Sequence, residues 1–162
     1  MLSKILSKSD CALCKFCCSF RRQSLWETPL FDKETAALLS KQFPSATFKA
    51  SGNDMVTIDI SDQYKTDNPE EEAPCPFLDE HKGCELNAEE KPFDCSIWPL
   101  RIIRVEDKLK VALTPTCPAI NKVPLEKVKT LVKRELGQKI HEQAQLHPDM
   151  VKEFKKDFII LE

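Results

Sequence analysis

The apolar positions fall into runs with two different spacings, and each spacing predicts an element. Asp32 to Gln42 (Asp-Lys-Glu-Thr-Ala-Ala-Leu-Leu-Ser-Lys-Gln) reads as a helix, with Asp32 as its N-cap and Pro44 just past its end. Met55-Val-Thr-Ile-Asp-Ile60 alternates with period two, a strand able to pair with Thr47–Ala50 across Ser51-Gly52-Asn53-Asp54. Leu100–Val105 and Lys108–Leu113 form a predicted hairpin around Glu106-Asp107. After Pro124, the positions Leu125, Val128, Leu131, Val132, Leu136 and Ile140 keep helical spacing, which predicts a helix to about Leu146. Pro148 breaks it, and Asp149 to Asp157 is predicted to continue as a short second helix. Residues 61–74, ending Asn68-Pro-Glu-Glu-Glu-Ala-Pro74, read as an acidic, solvated loop. The predicted class is α+β: one small domain over residues 1–162, with cysteine-bearing loops around a small antiparallel sheet. Its metal-binding core covers about 11–118 and its C-terminal helical segment about 123–158.

Composition narrows the chemistry. With 162 residues the chain has room for one core and little more. Its longest apolar runs are a handful of residues, against about 20 for a membrane-spanning helix, so no membrane partner is expected. Lys and Arg number 24 against 26 Asp and Glu, and that balance gives nucleic-acid binding no support. Only three glycines are present, too few to write a dinucleotide fingerprint, a P-loop or a Gly-x-Ser-x-Gly nucleophile motif. Charges interrupt the first eight residues, unlike the apolar stretch of a secretory signal, so a cytoplasmic location is expected. There thiols stay reduced, and eight patterned cysteines point to metal rather than to disulfides.

Cys11, Cys14, Cys17 and Cys18 form a C-x-x-C-x-x-C-C run; Cys75, Cys84, Cys95 and Cys117 follow. Cysteines three apart on a tight turn project sulfurs toward one point, the reason C-x-x-C recurs in zinc and iron–sulfur sites. Two successive steps, with a distant Cys-Pro, resemble the cluster-binding segment of bacterial ferredoxins. Two Cys-Pro pairs are present, Cys75-Pro76 and Cys117-Pro118. Neighbouring side chains generally point apart, so either Cys17 and Cys18 serve different centres or one of them is not a ligand. One division gives Cys11, Cys14 and Cys17 a remote Cys-Pro, and leaves Cys18 with the remaining three. All eight are candidate metal ligands. Ser9, Asp10, Lys15, Ser19, Arg21 and Arg22 make the run's surroundings polar, unlike those of cysteines that serve as small core hydrophobes.

Cys11-x-x-Cys14-x-x-Cys17-Cys18, Cys75-Pro76-Phe77-Leu78 and Lys91-Pro92-Phe93-Asp94-Cys95-Ser96-Ile97-Trp98-Pro99 together resemble a family of small bacterial and archaeal cysteine-cluster proteins described as zinc- or iron-chelating. The resemblance spans roughly residues 11 to 118 and implies chelation by these cysteines. The larger relatives include the flagellin lysine N-methylases, which implies, more remotely, an iron–sulfur cluster and methyl transfer from S-adenosylmethionine.

The remaining polar residues add little catalytic chemistry. His81 could replace a cysteine ligand or be an ordinary loop histidine, and His141 and His147 read as surface. Arg21, Arg22, Arg101 and Arg104 could donate to thiolates, since four thiolates on a divalent ion leave a site charge of about −2. Trp98, Phe93 and Ile97 are expected to pack over the site. The expected function is metal binding through a cysteine-ligated iron–sulfur cluster, [4Fe-4S] in form, or zinc, in the service of a protein partner. The alternatives are S-adenosylmethionine-dependent methyl transfer at a cluster and a zinc-stabilised interaction module.

Overall fold

The computed structural model describes residues 2–7, 9–10 and 14–162. Cys11 lies outside them. The fold is α+β, as the spacing predicts, and it divides into two compact units: Lys15–Cys95, and Met1–Cys14 with Ser96–Glu162. Among the described residues, no helix is long and apolar enough to cross a membrane.

In the unit Lys15–Cys95, β1 (Ser19–Arg21) pairs antiparallel with β2 (Glu72–Pro74), placing Phe20 opposite Ala73. The end of the presumed acidic loop is thus a strand, because β1 offers its backbone a ladder. A second sheet has β3 (Leu30–Asp32) and β4 (Phe48–Ser51) on either side of β5 (Met55–Ile58), all antiparallel. Gly52, at φ 70°, takes the left-handed position that the turn between β4 and β5 requires.

Helix α1 (Lys33–Gln42) starts where predicted: the Asp32 carboxylate accepts the Thr35 N–H at 2.7 Å. Ala36 and Leu39, three apart, face the core, where Phe31, Ile58, Ile60, Tyr64 and Phe77 gather. Phe77 is 1% exposed and its ring meets those of Phe31, Phe43 and Phe48 at centroid distances of 5.9, 5.2 and 6.3 Å. The Tyr64 hydroxyl donates to the Phe20 carbonyl at 2.8 Å, satisfying its one polar atom.

A two-rung hairpin, β6 (Leu78–Asp79) with β7 (Gly83–Cys84), follows this core, and the division between units falls within α2 (Phe93–Ile97).

The other unit is built on the predicted hairpin, β8 (Leu100–Val105) with β9 (Lys108–Leu113), Ile102 opposite Val111. Helix α3 (Leu125–Leu131), a π turn (Val132–Leu136) and α4 (Gly137–Leu146) follow as one helical run. Val128, Leu131, Val132, Leu136 and Ile140 are buried, whereas Leu125, in the first turn, stays 37% exposed.

The expected second helix at 149–157 does not form. Instead β10 (Lys152–Glu153) runs parallel to β8, and β11 (Ile159–Ile160) runs antiparallel to β9. The hairpin's two open edges offer backbone partners to Lys152–Glu153 and Ile159–Ile160, and that outweighs local helical preference.

Candidate metal centre

Five of the eight cysteines, Cys17, Cys18, Cys75, Cys84 and Cys95, belong to the unit Lys15–Cys95. Backbone pairing brings three distant segments together there. The ladder between β1 and β2 extends past its end: the Cys75 N–H donates to the Cys18 carbonyl at 2.8 Å. Cys17 and Cys18 close a short 3-10 turn that follows Lys15, whose φ is 51°. In that turn their sulfurs lie 3.9 Å apart. The expectation that neighbours must point apart fails here, because the chain passes from the tight turn directly into the extended β1. Cys17 and Cys18 belong to one unit and Cys14 to the other.

Cys84 is brought in by the β6–β7 hairpin. The Leu78 N–H donates to the Cys75 carbonyl at 3.0 Å, Leu78 stands opposite Cys84, and the Glu85 N–H donates to the Phe77 carbonyl at 2.9 Å. Asp79 accepts the backbone N–H groups of His81 and Lys82 at 2.8 and 2.6 Å, which shapes the connecting turn. His81 itself is exposed in that turn. Cys95 sits on α2, beside the buried Asp94, whose carboxylate accepts the Leu30 N–H at 3.2 Å. That bond ties α2 to the start of β3.

The sulfurs are electrostatically aware of one another. The hydrogen bond with Cys17 raises the Cys18 thiol far above its ordinary range; burial and the charges Cys17, Cys75 and Cys95 would carry raise it further. Burial pushes Cys75 up to about 12; thiolate on Cys84 or Cys17 adds to this, while the Phe77 N–H, directed at the sulfur, opposes it. Cys95 is raised well above the thiol range by burial first, then by Cys75, Asp94 and Cys17, with Lys91 opposing. These groups are therefore neutral thiols at neutral pH. A cation placed among them would reverse the balance, since a coordinated thiol is deprotonated.

Among the described residues, no group of three or more His, Cys, Asp or Glu side chains is placed so that it could hold a metal ion.

Cys14 is exposed and Cys117 buried, both in the other unit, and the Ile120 N–H lies 3.4 Å from the Cys117 sulfur. Three of the four candidate arginines make other contacts, although the buried Nε of Arg22 and of Arg101 has no hydrogen-bond partner. Arg21 pairs with Glu70 and Glu72 at 3.5 and 3.4 Å, and Arg22 lies over the Tyr64 ring at 4.9 Å and donates to the Thr66 carbonyl. Arg101 is 3% exposed in β8 and donates to the Leu100 carbonyl at 3.1 Å.

Two features of the site escape a reading of residue types alone. The Phe77 N–H donor to Cys75 is a backbone group, detectable only as the turn that Cys75-Pro76-Phe77 implies. The Asp94–Leu30 bond joins residues 64 apart in the chain, with no local signal. No protein-family model, curated protein or solved structure matches the chain.

Proposed function

We propose that the protein binds a metal through the cysteine sulfurs of the unit Lys15–Cys95, with Cys17, Cys18, Cys75 and Cys95 as ligands. One observation carries this reading. The Cys75 N–H to Cys18 carbonyl bond of 2.8 Å, with the 3.9 Å sulfur pair beside it, joins thiols from segments 57 residues apart. An all-thiol donor set suits zinc or iron, and the Phe77 N–H at Cys75 is the kind of outer-shell donor that stabilises a bound thiolate.

The form favoured is a single tetrahedral ion. Zinc–sulfur bonds of about 2.3 Å give a tetrahedron an edge of about 3.8 Å, close to the Cys17–Cys18 spacing of 3.9 Å. Ligands on separate irons of a cluster diverge, each pointing outward from its own metal. The iron–sulfur reading rests on the C-x-x-C-x-x-C run and the Cys-Pro pairs. Zinc supplied here would act as a cross-link, holding β1, the Cys75 turn and α2 together.

Anaerobic purification followed by zinc, iron and acid-labile sulfide analysis tests this. One zinc or iron per chain without sulfide is expected. Brown protein with stoichiometric sulfide would replace the single ion by a cluster, and protein that takes up neither metal would overturn the proposal.

A further inference from the structure

Cys17 and Cys18 are successive residues of the 3-10 turn Phe16–Cys18, and both are half-buried thiols. Their sulfurs lie 3.9 Å apart, in contact. Neighbouring side chains usually diverge, so the contact is imposed by the backbone around it. The Cys18 N–H donates to the Lys15 carbonyl at 3.0 Å, the Ser19 N–H donates to the Phe16 carbonyl, and the Cys18 carbonyl accepts the Cys75 N–H at 2.8 Å. These bonds hold the pair from either end. A disulfide bond is about 2.0 Å long, so rotation about the two Cα–Cβ bonds has about 1.9 Å left to close.

We infer that Cys17 and Cys18 form a reversible oxidation site, which hydrogen peroxide closes to a disulfide between adjacent residues. One sulfur attacks the peroxide: the O–O bond breaks, a sulfenic acid forms, and the first thiol's proton leaves with the released hydroxide as water. The second sulfur then attacks the first. The S–S bond forms, the S–O bond breaks, and that hydroxide departs with the second thiol's proton as another water. The two sulfurs together give up two electrons, and the peroxide takes them. The second step is fast because its partners are already in contact. The bond is also easily undone. Adjacent Cα atoms are about 3.8 Å apart across a trans peptide, against about 4.4–6.8 Å in an ordinary disulfide. The ring through both side chains and the peptide between them is therefore strained, and strained disulfides are the labile, regulatory kind. The Cys18 nitrogen is an atom of that ring, so closure disturbs its bond to the Lys15 carbonyl and with it the turn. This inference does not rest on the metal-binding reading, although sulfurs joined to each other have no thiolate to offer a cation.

The test uses the full chain, reduced, freed of metal with a chelator and titrated with hydrogen peroxide. A variant carrying Cys14→Ser and Cys84→Ser, which lacks two exposed competitors for the oxidant, is treated alongside. In both, Ellman's reagent in denaturant should find two thiols fewer after oxidation than before. The peptide bearing Cys17 and Cys18 should be lighter by two hydrogens and closed to iodoacetamide at both residues, and dithiothreitol should restore both thiols. Cys18→Ser should abolish the loss of two hydrogens from that peptide. If Cys17 and Cys18 of the double variant still take up iodoacetamide after oxidation, or if either is found bonded to another cysteine such as Cys75, the inference is overturned. Neither result depends on whether the chain binds zinc, so failure here and failure of the metal-binding reading are told apart.

Discussion

Replacement of Phe77 by alanine tests whether the core and the thiol cluster are one structure. The side chain is 1% exposed and touches three rings, those of Phe31, Phe43 and Phe48. Buried Phe→Ala changes cost about 3–5 kcal/mol, and each aromatic pair contributes about 0.5–1.5 kcal/mol beyond its buried area. Three pairs place Phe77→Ala near the top of that range, about 4–5 kcal/mol. A domain's whole stability is about 5–15 kcal/mol, so the metal-free variant should be close to unfolding at room temperature. The same residue also directs its N–H at the Cys75 sulfur. Structural zinc provides about 10–16 kcal/mol of apparent binding energy near neutral pH, more than the substitution removes. Urea unfolding followed by far-ultraviolet circular dichroism, with chelator and with one equivalent of zinc, measures both quantities. Phe77→Leu, which leaves a smaller cavity, should lose about half as much. A loss under about 1 kcal/mol without metal, or no recovery of the alanine variant by zinc, would refute the coupling.

Other outcomes follow from the same geometry. If a metal is bound, anaerobic chelation of the native protein should lower its urea unfolding midpoint while leaving it folded in buffer; an unchanged midpoint would contradict this. In metal-free protein, Cys75 ionises at about 12 when folded against an ordinary 9.0. Between those values the unfolded chain holds fewer protons, so stability should fall as pH rises, by about 1.4 kcal/mol per pH step per thiol. Denaturation midpoints from pH 8 to 11 should show this slope, and Cys75→Ser should make it shallower by one thiol's share while Cys18 and Cys95 keep the rest. Iodoacetamide at pH 8, followed by peptide mass spectrometry, should label the exposed Cys14 and Cys84 well before Cys75 and Cys95; simultaneous labelling would count against the burial of the cluster. Asp32→Ala, which removes the 2.7 Å cap on α1, should cost about 1 kcal/mol in urea unfolding, and an effect below about 0.3 kcal/mol would show the cap to be idle.

Local signals located the regular elements well. Asp32, Pro44 and the spacing of Ala36 and Leu39 define α1 without tertiary help, and the alternation flanking Glu106-Asp107 defines the β8–β9 hairpin, with Glu106 at φ 54° in its turn. The tail departs from the helical expectation because the open edge of β8, remote in sequence, decides the state of Lys152–Glu153. The cysteines stand out in the sequence, whereas their arrangement does not. Which sulfurs meet depends on β1 pairing with β2, a contact over 50 residues long in the chain, set by Phe20 and Ala73 facing one core. The direction of the Cys17 and Cys18 side chains depends on the turn after Lys15, where a left-handed non-glycine residue has no sequence marker.

Because β1 and β2 clasp the chain on either side of β3, α1, β4 and β5, everything between Cys18 and Cys75 is a closed loop anchored at its neck. The entropy of closing such a loop grows only with the logarithm of its length, about 0.6 kcal/mol per doubling. Its size is therefore under weak constraint, whereas a one-residue slip of β1 against β2 at the neck would turn Phe20 or Ala73 away from the core. Chains built on this plan should tolerate insertions, or a whole foreign domain, in the turn at Gly52, while keeping the two neck segments unaltered.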